Sequence, residues 1–241
     1  SLVSACASYK HQYSKAEKNW QKVSLPYKPL EHQLFLIGAI GEDESATMSA
    51  TLQIMEQKLK QADANSSILF LGDNIHAHVA AEKEKEAAIT HQKAQLDILN
   101  AFKGNVFFIP GNQDWTKEGG VESIRQQEKL VQDYLDRGDT YIPDRGCSGP
   151  EVKDLSDNTV LIAINSQWYL ENWDNEKGIN EDCEFRTREL FLRRLADKLK
   201  DNRHKNVILA LHHPLYSNGR YGGHYTTKEH LFPLTAIDPK L

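Results

Sequence analysis

Short runs of apolar residues, each followed by a longer charged or amphipathic stretch, constrain this chain more than any other feature. The runs are Leu34-Phe35-Leu36-Ile37, Ile68-Leu69-Phe70-Leu71, Val106-Phe107-Phe108-Ile109, Val160-Leu161-Ile162-Ala163-Ile164 and Val207-Ile208-Leu209-Ala210-Leu211. Runs this short and continuous read as strands buried on both faces. Helical spacing predicts helices between them, over about 46–61 (apolar at Met48, Leu52, Met55 and Leu59), 79–102, 121–135 and 185–200. Strands alternating with helices define an α/β domain, whose function sits in the loops after the strands. The 241 residues suffice for one such domain with a sizeable core. No apolar run approaches the roughly 18 residues a membrane crossing needs. A net charge of -5 and a pI near 6.1 argue against a nucleic-acid partner, which would call for a basic stripe.

The polar residues of interest follow the strands directly. The second run ends in Gly72-Asp73-Asn74-Ile75-His76 and the third in Gly111-Asn112-Gln113-Asp114-Trp115. The last ends in His212-His213-Pro214-Leu215-Tyr216, with Gly222-Gly223-His224 shortly after. Taken singly, Gly-Asp-Asn and Gly-Asn are common turn sequences, and a metal-free domain with coincidental turns is the plainest alternative. Taken in order, three strand ends deliver Asp, Asn and His, the oxygen and nitrogen donors that suit iron, manganese or zinc.

This ordered series resembles the calcineurin-like metallophosphoesterase family, and the resemblance spans most of residues 32–241. The G-D-N form of the second motif is similar to the purple acid phosphatase branch. The Leu211–Ser217 stretch, with the G-N-x-D-W turn, looks like a subgroup of exported bacterial lipoproteins. The resemblance implies two facing β-sheets flanked by helices in four layers, αββα, with metals at the strand ends. It implies Asp73, Asn112, His212 and His76 as metal ligands, Asp114 as an outer carboxylate orienting them, and Gln113 and His224 in the places of phosphate-contacting groups. A phosphate mono- or diester is the implied substrate.

Several positions depart from that pattern. Ala39 stands where the family carries its first Asp ligand, and a methyl group binds no metal. Glu42 or Asp43 could reach back only from another direction. His76, with His78 two residues on, replaces the tyrosine of purple acid phosphatases. Gln113 replaces a histidine, and an amide donates a hydrogen bond but supplies no proton at neutral pH. No G-H-x-H motif occurs up to Leu241, so the expectation is a domain with its carboxyl-terminal part missing. The changed positions fall mainly on one metal subsite, so one metal rather than two is expected. The activity is then either a weakened hydrolase or a pseudophosphatase that binds an envelope protein partner.

At the other end, Ser1-Leu2-Val3-Ser4-Ala5-Cys6 resembles the tail of a bacterial lipoprotein signal. Residues 1–31 are then a signal remnant and tether, and 32–241 the metallophosphoesterase domain. This resemblance implies lipid on Cys6, membrane anchoring and a place in the bacterial cell envelope. An ordinary cysteine is the alternative. With Cys6 set apart, Cys147 and Cys183 remain, either as two separate thiols or as a disulfide of an oxidising compartment, closing a loop of about 35 residues.

Overall fold

The computed structural model describes residues 29–38, 49–74, 82–115, 119–171 and 182–216, together with 19 and 22. The chain divides into two units, Ser1–Leu30 and Glu31–Leu241, and every named element lies in the second. Ala39, Glu42, Asp43, His76, His78, His224 and Cys6 lie outside the described residues.

Among the described residues, two three-stranded sheets build the domain. In the first, β1 (Gln33–Ile37), β2 (Ser66–Phe70) and β3 (Asn105–Phe108) run parallel in that order, with Phe35 opposite Ile68 and Ile68 opposite Val106. Tyr141 continues the sheet beyond β3 through a parallel bridge to Phe108, with Ile142 N–H donating to the Phe108 carbonyl at 2.8 Å. The second sheet orders β4 (Glu151–Ser156), β5 (Thr159–Ala163) and β6 (Asn206–Ala210), antiparallel then parallel.

The alternation of side chains along β2 and β3 separates two cores. Leu69, Phe107 and Ile109 cluster with Leu161, Ala163 and Ala210 of the second sheet, so the sheets face each other across this apolar layer. Ile68, Phe70, Val106 and Phe108 point the other way, towards Leu96, Ile124 and Val131. Phe70 and Phe108 stack with ring centroids 4.0 Å apart, and neither ring meets solvent. Burying one such side chain contributes about 1.5–3 kcal/mol. Two facing sheets with helices outside them match the layered α/β architecture that the resemblance implies.

Helix α3 keeps the expected span of 121–135, while at other helices capping residues set ends that periodicity alone does not give. Helix α1 covers Ala50–Leu59 of the expected 46–61, of which 46–48 lie outside the described residues; Ser49 adopts an extended conformation and its hydroxyl accepts the Leu52 N–H at 3.3 Å. Helix α2 covers Glu82–Asp97 of the expected 79–102, of which 79–81 lie outside the described residues, and turns occupy 98–101. Helix α3 covers Val121–Leu135 and ends on Asp136 in a left-handed conformation at φ 50°. Helix α4, Ser166–Leu170, and strand β4 were not anticipated: α4 is very short, and β4 carries Glu, Lys and Asp among its six residues. Helix α5 is Arg188–Asp201, capped by the Thr187 hydroxyl on Leu190 N–H at 3.2 Å.

Full burial on both faces holds for β2 but not for β1 or β6. Among the described strands these two are at sheet edges, and Leu36 is 53% exposed. Cys147 and Cys183 are joined in a disulfide with their Cα atoms 5.5 Å apart, spanning 36 positions. The bond ties the loop before β4 to the segment leading into α5. Closing a loop of this length should contribute about 3–4 kcal/mol by restricting the unfolded chain. Replacing both cysteines by serine is expected to lower the urea-derived unfolding free energy by that amount; an unchanged midpoint would refute it.

Candidate metal centre

The loops after β2, β3 and β6 meet at one point, and two glycines make the meeting possible. Gly72 and Asp73 both take left-handed conformations, at φ 90° and 52°. Glycine does so without penalty, and Asp is among the few other residues that tolerate it. A Cβ on Gly72 would stand 2.6 Å from the Gly111 nitrogen and 2.7 Å from His212 Nδ1. A Cβ on Gly111 would stand 2.3 Å from Asp73 Oδ1 and 2.8 Å from His212 Cε1. No rotamer change relieves these contacts, because main-chain atoms are among them.

The double turn at 72–73 brings the Asp73 carboxylate back over the loop after β3. Its Oδ1 accepts the main-chain N–H of Gln113 at 2.9 Å, and its Oδ2 lies 3.4 Å from His212 Nε2. The His212 ring is held on its other side, where Nδ1 lies 2.8 Å from the Leu71 carbonyl. A carbonyl only accepts, so Nδ1 carries the proton there. The remaining nitrogen, Nε2, also lies 3.0 Å from Asn112 Oδ1. Asp73 and His212 keep side-chain exposures of only 16% and 15%, so the cluster is largely desolvated yet still open to water.

This arrangement fits a cation. Donors bound at about 2.0–2.2 Å to a common metal lie roughly 2.9–3.5 Å from one another along a coordination edge. The 3.0 Å and 3.4 Å separations from His212 Nε2 fall in that range. A backbone carbonyl on the far nitrogen, as Leu71 provides, is the usual way a ligating imidazole is oriented. Among the described residues no group of three or more His, Cys, Asp or Glu side chains is placed to hold a metal. The Asn112 amide is the third candidate donor here.

Asp114 lies beneath the cluster, fully buried. Its carboxylate accepts Gly111 N–H at 2.7 Å, Asn74 N–H at 2.9 Å and Asn74 Nδ2 at 3.3 Å. It therefore organises the two glycine turns through main-chain and Asn74 contacts. Burial, and then the Asp114 charge, push the Tyr141 hydroxyl well above its ordinary range. His213 lies beside the cluster; burial and then the neighbouring His212 ring hold its imidazole below its ordinary pKa.

Of the residues singled out in the sequence, the structure brings Asp73, Asn112, Gln113 and His212 together, with Asp114 below them. Sequence reasoning weighed the Gln113 side chain, whereas its main-chain N–H is what holds Asp73. It also overlooked Ser166, whose hydroxyl meets the His213 ring at 2.8 Å; only its place just after an apolar run could have signalled it.

A sequence model of the calcineurin-like phosphoesterase family matches residues 37–240, and the chain belongs to that family. No curated protein matches the chain. Family membership implies phosphoester hydrolase chemistry, phosphate ester substrates and binding of divalent metals.

The close approach of the loops makes Gly111 a sensitive position. Gly111→Ala is expected to cost about 1–3 kcal/mol or more by overpacking. Gly138→Ala, where an added Cβ meets nothing within 4 Å, should stay within about 0.5 kcal/mol. Equal unfolding midpoints for the two variants would contradict the packing described.

Proposed function

We propose that this chain is a phosphate-ester hydrolase of the metallophosphoesterase type, with a one-metal centre on Asp73, Asn112 and His212 and slow turnover. The observation that carries this reading is the convergence of Asp73 Oδ2 and Asn112 Oδ1 on His212 Nε2, at 3.4 Å and 3.0 Å. A bound divalent cation would supply Lewis-acid polarisation of a phosphoryl oxygen and a more acidic water. The protein's own contribution is positional. Gln113 N–H holds the Asp73 carboxylate, and the Leu71 carbonyl holds the His212 ring with its free nitrogen turned to the other donors.

The depleted side of the site accounts for the slow turnover. Ala39 offers no donor, and a second metal would depend on Asp73 and His76. The Gln113 side chain can donate to a phosphate oxygen but cannot protonate a leaving group. Loss of a general acid typically costs about 10²–10⁴ in rate. His224 supplies a further candidate for contacting the phosphate. The Gly72-Asp73-Asn74 motif supports a purple acid phosphatase-like branch, and the donor set suits iron, manganese or zinc.

The second reading is a pseudophosphatase, a binding or assembly subunit with the same fold, and the residues that favour it are Ala39 and Gln113. In either case Ser4-Ala5-Cys6 supports lipid attachment at Cys6 and a place in the bacterial cell envelope. The Cys147–Cys183 bond suits an oxidising compartment.

The manganese-loaded protein is expected to hydrolyse an aryl phosphate monoester or diester slowly, and Asp73→Ala should abolish that rate. Hydrolysis no faster than a buffer blank, from acidic to alkaline pH, would leave the pseudophosphatase reading standing. Combining Ala39→Asp with Gln113→His should raise turnover by about 100-fold or more, the scale of one general acid. No gain would mean that the remaining donors are not organised for catalysis.

A further inference from the structure

We propose that Ser166 is a positioning residue of the metal centre, acting through His213 to fix the aim of His212. The inference rests on the metal-centre reading above, and the observations behind it concern a different part of the fold. Ser166 opens α4 at the end of β5, is 7% exposed, and stands 47 positions before His213 in sequence. Its oxygen accepts the main-chain N–H of His213 at 3.2 Å and lies 2.8 Å from Nδ1 of the same residue's ring. One hydroxyl therefore clamps both the backbone and the side chain of the residue next to the candidate ligand. A hydroxyl accepts twice and donates once, so the contact itself fits either ring tautomer; the clamp as proposed has the hydroxyl donating to Nδ1, with the ring proton of His213 on Nε2.

The clamp is mounted on a rigid base. Asn165, and not Ser166, caps α4 by accepting the Trp168 N–H at 3.0 Å. Asn165 in turn donates its main-chain N–H to the Ser148 carbonyl at 3.0 Å and its amide to the Gly146 carbonyl at 3.3 Å. Those two carbonyls flank Cys147, whose disulfide anchors the loop. From Ser166 the constraint passes to the metal centre by direct contact. The His213 and His212 rings meet edge to face, with centroids 5.0 Å apart and planes at 88°. His212 is thus steered from two sides, by the Leu71 carbonyl at Nδ1 and by the His213 ring against its face or edge. Loss of the Ser166 hydroxyl would free the His213 ring to rotate and would loosen the turn that carries both histidines.

The test is Ser166→Ala, which keeps the Asn165 cap and removes only the hydroxyl. Manganese binding to the intact chain, measured by calorimetry, is expected to weaken about 10-fold, the low end of the range for a group bonded directly to a ligand, because Ser166 acts one residue further out. In the metal-free protein, nitrogen-15 spectra of the histidine rings should show His213 as the Nε2–H tautomer. Ser166→Ala should abolish that preference and shift the His212 signals as well. A residue that merely filled space would leave the tautomer unchanged. Wild-type manganese affinity in the variant, or an unchanged ring spectrum, would overturn the proposal. Should the unmodified protein take up no manganese, the metal reading fails by itself, and the ring spectra still decide whether Ser166 fixes the pair.

Discussion

Two chain segments can share one point in space only where neither carries a side chain, and Gly72 and Gly111 meet under that constraint. A methyl group on either would fall within 2.8 Å of main-chain atoms of the other loop. The parallel pairing of β2 with β3 sets the loops side by side, Phe70 opposite Phe108, and the stacked rings of that pair hold the spacing from within the core. The left-handed turn at Gly72 and Asp73 then sends the Asp73 carboxylate across to Gln113 rather than out to solvent. The placement of Asp73 against His212 follows from this contact.

Charge is accommodated by the same loops. A carboxylate without water costs several kcal/mol unless hydrogen bonds replace its hydration. Gly111 and Asn74 supply such donors to Asp114. Its main-chain carbonyl accepts the Ser123 hydroxyl at 2.6 Å and the Gln127 amide at 3.2 Å, which fastens α3 to the underside of the site. The polar layer is therefore continuous from the helix through Asp114 to the glycine turns, and above it stand the donors suited to a metal. Stability and site geometry depend on the same few residues here.

What could be read from the sequence follows from this physics. Strands β2, β3 and β5 are buried on both faces, and such strands spell continuous apolar runs. Strand β4 alternates charge with partial burial at a sheet edge and left no comparable signal. Helix ends shifted where Ser49 and Thr187 redirect the backbone, an effect of single hydroxyls that periodicity does not report. At the site, Asp73, Asn112 and His212 were legible because each follows an apolar run. The Gln113 contact was not, since a main-chain donor leaves no mark on residue identity. Ser166 was not either, because its partner lies far along the chain.

On the proposed function, a family site altered at Ala39 and Gln113 still retains one set of metal donors, Asp73, Asn112 and His212. The most direct measurement is metal content per chain, by mass spectrometry, after purification without chelator and loading with manganese. Close to one metal per chain is expected, lost in His212→Ala. No metal in the unmodified protein would contradict that reading outright, and two would show that other donors stand in for the aspartate that Ala39 replaces.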